Sequence, residues 1–381
     1  MPKINIPYGR QSIDSSDKQA VIDVLKSDWL TTGPKILEFE NDFSNFVGSE
    51  HSFAVSSGTA ALHCCIAAIN IGAGDEVIVP SMTFVATANA IVFQGGTPVF
   101  ADVDKDTLLI DTCDVARKIT PKTKAIIAVD YAGQPADYDR LKSLASHHNL
   151  YLIADACHSI GGSYKGASVG TLADLSAFSF HPVKHITTGE GGMITTENGD
   201  LAQRIRNFRN HGITTDHRQR EELGSWYYEM VELGFNYRLS DFQCALGISQ
   251  LKKLTKWINI RQNISSHYDD SFHNTSEIKP LKINNNLSHA YHLYVIKINF
   301  EALNITKEKL FYLLREHGIG VNVHYLPVHY HPFYKKNYNT KPGMCPVAEK
   351  VYEQILSLPI YPNLSEIEQV FVIDKIKKYC V

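Results

Sequence analysis

The 381-residue sequence lacks long apolar runs and a strong excess of either charge. No stretch approaches the roughly 20 apolar residues of a membrane-spanning helix, and the start, MPKINIPYGRQSID, has no apolar core typical of a secretory signal. The 40 acidic and 37 basic residues nearly balance, so charge favours neither nucleic acid nor an anionic membrane as a partner. We therefore expect a cytoplasmic protein that acts on small molecules.

Cysteine is scarce and irregularly spaced. The seven cysteines include no CxxC pair, which predicts reduced, mostly buried thiols. A content of 44% hydrophobic and 20% charged residues is that of an ordinary globular protein and does not indicate disorder. The chain is longer than one typical domain, so we expect two.

Short apolar runs alternate with helical patterns between residues 52 and 196. This alternation predicts an α/β fold, and the nearly uniform apolarity of several runs is typical of strands covered on both faces. The predicted strands are Ser52–Val55, Glu76–Val79, Pro98–Ala101, Ala125–Val129, Tyr151–Ala154, Leu175–Ser179 and Gly192–Thr195. The predicted helices between them are Thr59–Asn70, Val85–Phe93 and Tyr138–His148.

The composition changes after a long helical segment at Ser240–Asp270, where the Asn-rich stretch Asn274–Ser288 follows. We place a boundary near residue 250, which gives a large domain with an N-terminal arm at 1–250 and a smaller α+β domain at 251–381. The later elements predicted from periodicity are a strand at Tyr291–Asn299 and helices at Lys307–His317, Val347–Leu356 and Glu366–Lys378.

The strongest chemical signal is a lysine in a glycine-rich turn. The strand predicted to end at Ser179 is followed by Lys184 and then by Thr187-Thr-Gly-Glu-Gly-Gly192. Most lysines are solvated surface residues, but glycines let a ligand approach the backbone closely, and a partly desolvated amine has a lowered pKa. The sequence therefore indicates a nucleophilic lysine that forms a Schiff base with a carbonyl.

Two further motifs follow predicted strands. Asp155 comes directly after Tyr151–Ala154, where a carboxylate can pair with a protonated pyridoxal nitrogen, although a helix-capping aspartate would also explain it alone. Ser56-Ser-Gly-Thr-Ala-Ala61 opens a helix whose first amides suit a phosphate, although simple capping would explain this motif too. The order along the chain is the phosphate-binding motif, then Asp155 as partner of the ring nitrogen, then Lys184. This order resembles that of the pyridoxal-phosphate aminotransferases.

With Leu30-Thr-Thr-Gly-Pro34, Gly234-Phe-Asn-Tyr-Arg238 and His324-Tyr-Leu-Pro327, these motifs make the sequence resemble the DegT family of sugar aminotransferases nearly end to end. The resemblance implies an aspartate-aminotransferase-like α/β fold of type I with a seven-stranded, mostly parallel sheet. It also implies pyridoxal 5′-phosphate as cofactor and a homodimer with shared active sites.

The motifs Val129-Asp-Tyr-Ala-Gly133 and His181-Pro-Val-Lys-His-Ile-Thr-Thr-Gly-Glu-Gly191 resemble one branch of the family, which works in pseudaminic-acid biosynthesis. That branch aminates C4 of a UDP-linked 4-keto-6-deoxy-N-acetylhexosamine with glutamate. We therefore expect a nucleotide-linked keto-sugar and glutamate as the small-molecule partners.

The resemblance also implies roles for individual residues. Gly58, Thr59 and Ser179 would contact the cofactor phosphate. Asp155 would pair with the ring nitrogen, and His158 would lie near the ring oxygen. The other implied residues are Lys184 as Schiff-base lysine and proton carrier, Phe84 stacked on the ring, Asn236 at the phosphate of the neighbouring subunit's cofactor, and Tyr8, Thr31, His324 and Tyr325 at the substrate. Core packing is an alternative explanation of Phe84.

Three histidines lie within His324–His331 and invite interpretation as a metal site. No nearby acid or cysteine completes a ligand set, and the prolines at 327 and 332 indicate a rigid loop, so we predict no metal.

Four alternative functions stay open from the sequence. The first is amination of another nucleotide-linked keto-sugar, at C3 or C4. A sugar dehydratase of the same family would carry a histidine in place of Lys184, which argues against that function. An amino-acid aminotransferase would grip carboxylates with arginine forks, for which Arg238 and Arg315 are candidates. A non-catalytic regulator would have lost Asp155 or Lys184, or would have gained a DNA-binding extension.

Overall fold

The structure is a computed structural model that describes residues 5–215, 220 and 224–380. Its strands, in chain order, are β1 His51–Val55, β2 Glu76–Pro80, β3 Thr97–Ala101, β4 Thr123–Val129, β5 Tyr151–Asp155, β6 Ser163–Tyr164, β7 Ala167–Ser168, β8 Leu175–Ser179, β9 Gly192–Thr196, β10 Ile278–Pro280, β11 Leu287–Ser288, β12 Tyr294–Ile298 and β13 Ile355–Leu358.

The helices are α1 Ser15–Leu25, α2 Pro34–Val47, α3 Gly58–Ala68, α4 Val85–Phe93, α5 Thr112–Lys118, α6 Tyr138–His148, α7 Gly199–Phe208, α8 Asp241–Leu251, α9 Leu254–Phe272, α10 Lys307–Glu316, α11 Pro332–Tyr338, α12 Pro346–Tyr352 and α13 Glu366–Cys380. Short 3₁₀ turns lie at Tyr131–Gly133, Phe300–Ala302 and Val328–Tyr330. In the part of the chain that the structure describes, no helix combines the length and apolarity needed to cross a bilayer.

A seven-stranded sheet in the order β1-β9-β8-β5-β4-β2-β3 forms the centre of the fold. Six strands run in one direction, and β9 pairs antiparallel with both of its neighbours. Both faces of the sheet are covered, since most side chains of its strands are apolar and are buried in one of two core clusters. Along β2, for example, Val77 and Val79 belong to one core cluster and Ile78 to the other, since side chains alternate across a sheet. The predicted α/β fold with a mostly parallel sheet is thereby confirmed.

The seven predicted strands match β1–β5, β8 and β9 to within about two residues at each end. Two predictions were wrong in part. The helical segment Ser240–Asp270 is two helices, because the chain breaks between α8 and α9. The helix predicted at Val347–Leu356 stops at Tyr352, and Ile355–Leu358 instead pairs with β12 as β13, where its apolar side chains are buried.

A smaller antiparallel sheet, β10-β12-β13, lies later in the chain and has its own apolar cluster. Helix α9 takes part in both cores: Trp257 and Ile258 pack in the large-sheet cluster, whereas Tyr268 and Phe272 pack with the small sheet. The division of the chain near residue 250 stays a prediction. All seven cysteines are unpaired thiols, and only Cys113 is exposed, as the spacing predicted.

Candidate active site

The carboxyl ends of the parallel strands border a cavity of about 490 Å³, the place where α/β sheets bind ligands. Ten of the residues predicted from the sequence line it: Tyr8, Gly58, Thr59, Phe84, Asp155, His158, Ser179, Lys184, His324 and Tyr325. The other two do not. Thr31 forms a backbone bridge with Ser240, and Asn236 forms one with Asn210.

The N-terminus of α3 forms one corner of the cavity. The N-cap Ser57 accepts a hydrogen bond from the amide of Ala60 at 3.0 Å, whereas the earlier amides of Gly58 and Thr59 have no acceptor within the helix. Ser179 faces this turn so closely that a Cβ added at Gly58 would lie 2.8 Å from its Cβ. Open amides at a helix start and a nearby hydroxyl fit a phosphate.

Asp155 is the last residue of β5 and is only 6% exposed, so it is a strand-end carboxylate and caps no helix. Its Oδ2 accepts a hydrogen bond from the Thr87 hydroxyl at 2.7 Å, and its Oδ1 accepts one from the amide of Cys157 at 3.3 Å. This carboxylate lines the cavity and suits a protonated ring nitrogen.

Lys184 lies on the connection between β8 and β9, where its amide donates to the carbonyl of His181 at 2.9 Å. The side chain is half-buried, and the desolvation of its amine lowers its pKa. The nearby acidic groups of Cys157 and Asp155 partly offset this effect. A lowered pKa raises the uncharged fraction of the amine, which is the form that attacks a carbonyl.

His158 lines the same cavity. Its Nε2 lies 3.1 Å from the hydroxyl of Tyr325, and its ring centre lies 4.4 Å from that of His292. Burial lowers its pKa well below the usual value, and the Lys184 charge adds to this effect. Its buried Nδ1 has no hydrogen-bond partner among the described residues.

Phe84 precedes α4 at the cavity edge and is 56% exposed, which excludes ordinary core packing as its explanation. Its ring centre lies 6.0 Å from that of Tyr325. The phosphate corner, the carboxylate, the amine and this open aromatic face together fit pyridoxal phosphate.

The opposite wall comes from the N-terminal arm and the segment at 321–325. His324 is bonded at both ring nitrogens, with Nδ1 2.8 Å from Ser357 Oγ and Nε2 3.3 Å from the Asn322 amide nitrogen. Because Asn322 Oδ1 accepts the amide of Val323 at 2.9 Å, its NH₂ group must be the donor to His324. The predicted substrate contact of His324 stays a prediction.

Sequence reasoning missed other polar residues that line the cavity, and they are Thr83, Thr87, Cys157, His181, Glu190, His292 and Asn322. A local signal existed for Thr87, which is a polar residue in the first turn of a mostly apolar helix. His292 and Asn322 had no such signal, because their segments reach the cavity from far along the chain.

The histidines of the 324–331 segment are not gathered around one point. His324 bonds Ser357, whereas His329 bonds Ser81 and Glu349 in the interior. Within residues 5–215, 220 and 224–380, no group of three or more His, Cys, Asp or Glu side chains is arranged to hold a metal ion.

An apolar surface lies apart from the cavity on the segment at 226–235. Large side chains are exposed here, with Trp226 at 85%, and the others are Tyr227, Tyr228, Met230, Val231, Leu233 and Phe235. Asn236 follows this segment directly. Large apolar side chains exposed along one surface segment are typical of an interface with another protein.

The model of the DegT/DnrJ/EryC1/StrS aminotransferase family matches residues 11–377. SpsC, a spore coat polysaccharide biosynthesis protein of Bacillus subtilis, is 39% identical over 374 residues, which cover 98% of this chain and 96% of SpsC. PseC of Helicobacter pylori, an aminotransferase involved in the biosynthesis of pseudoaminic acid, is 32% identical, with a TM-score of 0.91 over 99% of each chain. Spr1654 of Streptococcus pneumoniae in its PMP form is 32% identical, with a TM-score of 0.92 over 99% of each chain.

Proposed function

This chain belongs to the DegT/DnrJ/EryC1/StrS aminotransferase family, and from that membership we propose that it aminates C4 of a UDP-linked 4-keto-6-deoxy-N-acetylhexosamine with glutamate as donor. The aminotransferases of this family use pyridoxal phosphate. The observation that carries the proposal is the single cavity that brings together Lys184, Asp155 and the N-terminus of α3. The similarity to PseC supports the choice of sugar, which would serve a surface glycan such as pseudaminic acid.

Bound pyridoxal phosphate supplies an aldehyde that condenses with amines and a ring that accepts electrons from a breaking C–H bond. In the proposed roles, Gly58, Thr59 and Ser179 hold the phosphate. Asp155 keeps the proton on the ring nitrogen. Lys184 Nζ would hold the cofactor at its aldehyde carbon and would carry the proton removed from the donor's α-carbon. In the second half-reaction the same amine delivers a proton to C4 of the sugar.

The rival functions have less support. Neither Arg238 nor Arg315 lines the cavity: Arg238 Nη1 donates to Asn210 Oδ1 at 2.5 Å, and Arg315 Nη2 donates to the carbonyl of Val321 at 3.0 Å. Among the residues that the structure describes, no arginine lines this cavity to bind the carboxylate of an amino-acid acceptor. Lys184 and Asp155 both face the cavity, which favours a catalyst over a regulator or a dehydratase.

Absorbance spectroscopy of the purified holoenzyme tests the proposed substrate. Glutamate should bleach the visible band of the bound cofactor, and the UDP-linked keto-sugar should then restore it, with ping-pong kinetics overall. A dTDP-linked 4-keto-6-deoxyhexose without the N-acetyl group is the matched comparison. If only that sugar restores the band, the chain acts on another keto-sugar. If only a keto acid does, it is an amino-acid aminotransferase.

We also propose that the enzyme is a homodimer whose apolar surface at 226–235 meets the second copy. In this arrangement Asn236 reaches the cofactor phosphate of the neighbouring subunit, and Thr31 lies near the same interface. The exposure of Trp226 and its neighbours supports the proposal, as does the finding that Asn236 does not line the cavity of its own chain.

Subunit mixing tests the shared site. Lys184→Ala and Asn236→Ala homodimers should both be impaired, whereas a co-expressed mixture should recover activity in hybrid dimers. One site of each hybrid would combine an intact Lys184 with an intact Asn236 from the other chain. Absence of recovery in verified hybrids, or a fully active monomer, would contradict the proposal.

A further inference from the structure

Two threonines, neither of them among the cofactor or substrate contacts assigned above, form a hydrogen-bonded chain that ends on Asp155. Thr83 Oγ1 lies 2.8 Å from Thr87 Oγ1, and Thr87 Oγ1 lies 2.7 Å from Asp155 Oδ2. Thr87 has no exposed surface and Thr83 is 2% exposed, so the chain is shielded from solvent. Both threonines line the cavity.

The direction of the chain follows from the chemistry of its end. An ionised carboxylate only accepts hydrogen bonds, so the single hydroxyl proton of Thr87 must point to Asp155. The Thr87 oxygen then accepts the proton of Thr83. Each hydroxyl thus has one orientation, and the two dipoles add up towards Asp155 Oδ2.

The Thr87 hydroxyl connects two elements of the fold. Thr87 lies in the first turn of α4, the helix that follows β2, and its hydroxyl bonds to the end of β5. In the sheet, β2 and β5 are separated by β4. The hydroxyl of Thr87 therefore links two segments that border the cavity, and it acts on the carboxylate that faces the ring.

We propose that Thr87, supported by Thr83, is a positioning residue that holds Asp155 Oδ2 so that the free lone pairs of the carboxylate point at the cofactor ring nitrogen. This inference rests on the proposed pairing of Asp155 with that nitrogen. With Oδ2 held by Thr87 and Oδ1 near the Cys157 amide, the carboxylate cannot turn away from the cavity. This helps catalysis because the negative charge of Asp155 is already in position beside the ring nitrogen before the reaction begins.

The test compares Thr87→Val, which keeps the shape and removes the hydroxyl, with Thr87→Ser, which keeps the hydroxyl. The readout is the equilibrium dissociation constant of pyridoxal phosphate, titrated into the apo form of each full-length variant. Thr87→Val should weaken cofactor binding by about tenfold, the effect of losing a hydrogen bond to a charged group. Thr87→Ser should stay within about twofold of the wild type.

A double-mutant cycle shows whether Thr87 acts through Asp155. In an Asp155→Asn background, Thr87→Val should have little further effect, because the carboxylate that it orients is gone. Thr83→Val should weaken cofactor binding in the same direction as Thr87→Val but less. It also serves as the second variant if Thr87→Val folds poorly in thermal unfolding of the apo form.

Wild-type cofactor affinity in Thr87→Val and Thr83→Val would overturn the proposal, as would equal losses in Thr87→Val and Thr87→Ser. The titration uses no sugar, so it is separate from the proposed substrate. If the wild type binds the cofactor but does not aminate the keto-sugar, the substrate assignment fails while the Thr87 comparison still decides the positioning role.

Discussion

The polar cluster around Asp155 and the cluster formed by Ser81, His329 and Glu349 contain similar residue types in different surroundings. In the second cluster, His329 Nδ1 lies 2.5 Å from Ser81 Oγ, and His329 Nε2 lies 2.9 Å from Glu349 Oε1. Serine, histidine and an acid form nucleophilic triads in other proteins. Here Ser81 and His329 have no exposed surface, and neither lines the cavity beside Asp155.

The cluster of Ser81, His329 and Glu349, called the sealed cluster below, instead holds distant segments of the chain together. The amide of Val328 donates to the carbonyl of Ser81 at 2.9 Å, and Glu349 accepts the amide of Gly343 at 2.8 Å. Its hydrogen bonds therefore hold the turn at 328–330 and the start of α12 against the end of β2. The difference between the clusters teaches that access to a cavity decides whether such residues can perform chemistry, whatever their type.

The largest effect should come from removing the amine of Lys184, which lines the cavity together with Asp155. Lys184→Ala should reduce kcat/KM by about a thousandfold or more, because the variant lacks both the group that holds the aldehyde carbon and the proton carrier. Steady-state kinetics and the visible spectrum measure this loss. Wild-type turnover in this variant would show that Lys184 is not needed for catalysis. Access to the cavity would then no longer distinguish catalytic from structural residues.

Asp155→Asn should reduce kcat by about tenfold to a hundredfold, since the neutral amide no longer stabilises a positive charge on the ring nitrogen. Thermal unfolding of the apo form should change much less than activity. A large loss of stability with unchanged kcat would show that Asp155 is a structural residue, like those of the sealed cluster.

Asp130 is a buried acid that belongs to neither cluster, and it tests how burial changes the pKa of a carboxyl group. It is fully buried and hydrogen-bonded to Ser159 and Tyr138, and desolvation raises its pKa to about 7. The folded state therefore holds a proton that the unfolded state releases above its ordinary pKa. The resulting stability is full below that ordinary value and is lost as pH rises towards 7.

Urea unfolding should show the wild type losing roughly 2 kcal/mol of stability between pH 5 and 8 through this group. Asp130→Asn, which mimics the protonated acid, should give a flatter profile over the same range. Parallel profiles for the two proteins would show that Asp130 titrates normally.

The smallest effect should come from the sealed cluster. Ser81→Ala should lower the free energy of unfolding by about 1 kcal/mol, because it leaves a buried nitrogen of His329 without its partner. The value of kcat/KM should stay within about twofold. The matched control is Ser176→Ala, since the buried Ser176 hydroxyl has no hydrogen-bond partner among the described residues and its loss should be nearly neutral.

The predictable part of the molecule is the part whose signals are local. Strands β1–β5, β8 and β9 were recognisable as short apolar runs, and Asp155 and Lys184 as polar residues that follow such runs. Gly58 and Thr59 were recognisable because a helix start follows a strand there. All of these residues line one cavity, since the carboxyl ends of parallel strands meet at the same edge of a sheet.

The less predictable part depends on segments that are distant in sequence. Helices α8 and α9 read as one segment, because the break between them has no glycine or proline to mark it. The apolar run of β13 read as the end of a helix, since its pairing with β12 has no local signature. The cavity wall with His292 and Asn322 was missed for the same reason.

The sequence by itself determined the family, the order of the strands along the chain and the residues at their ends, because apolar periodicity and short motifs are properties of neighbouring residues. Only the tertiary structure decided which polar groups face a cavity and which are sealed. It directed the hydroxyl of Thr87 to Asp155 and buried His329 between Ser81 and Glu349. The physical reason is that burial and hydrogen-bond direction depend on how distant segments pack, and no local pattern records that packing.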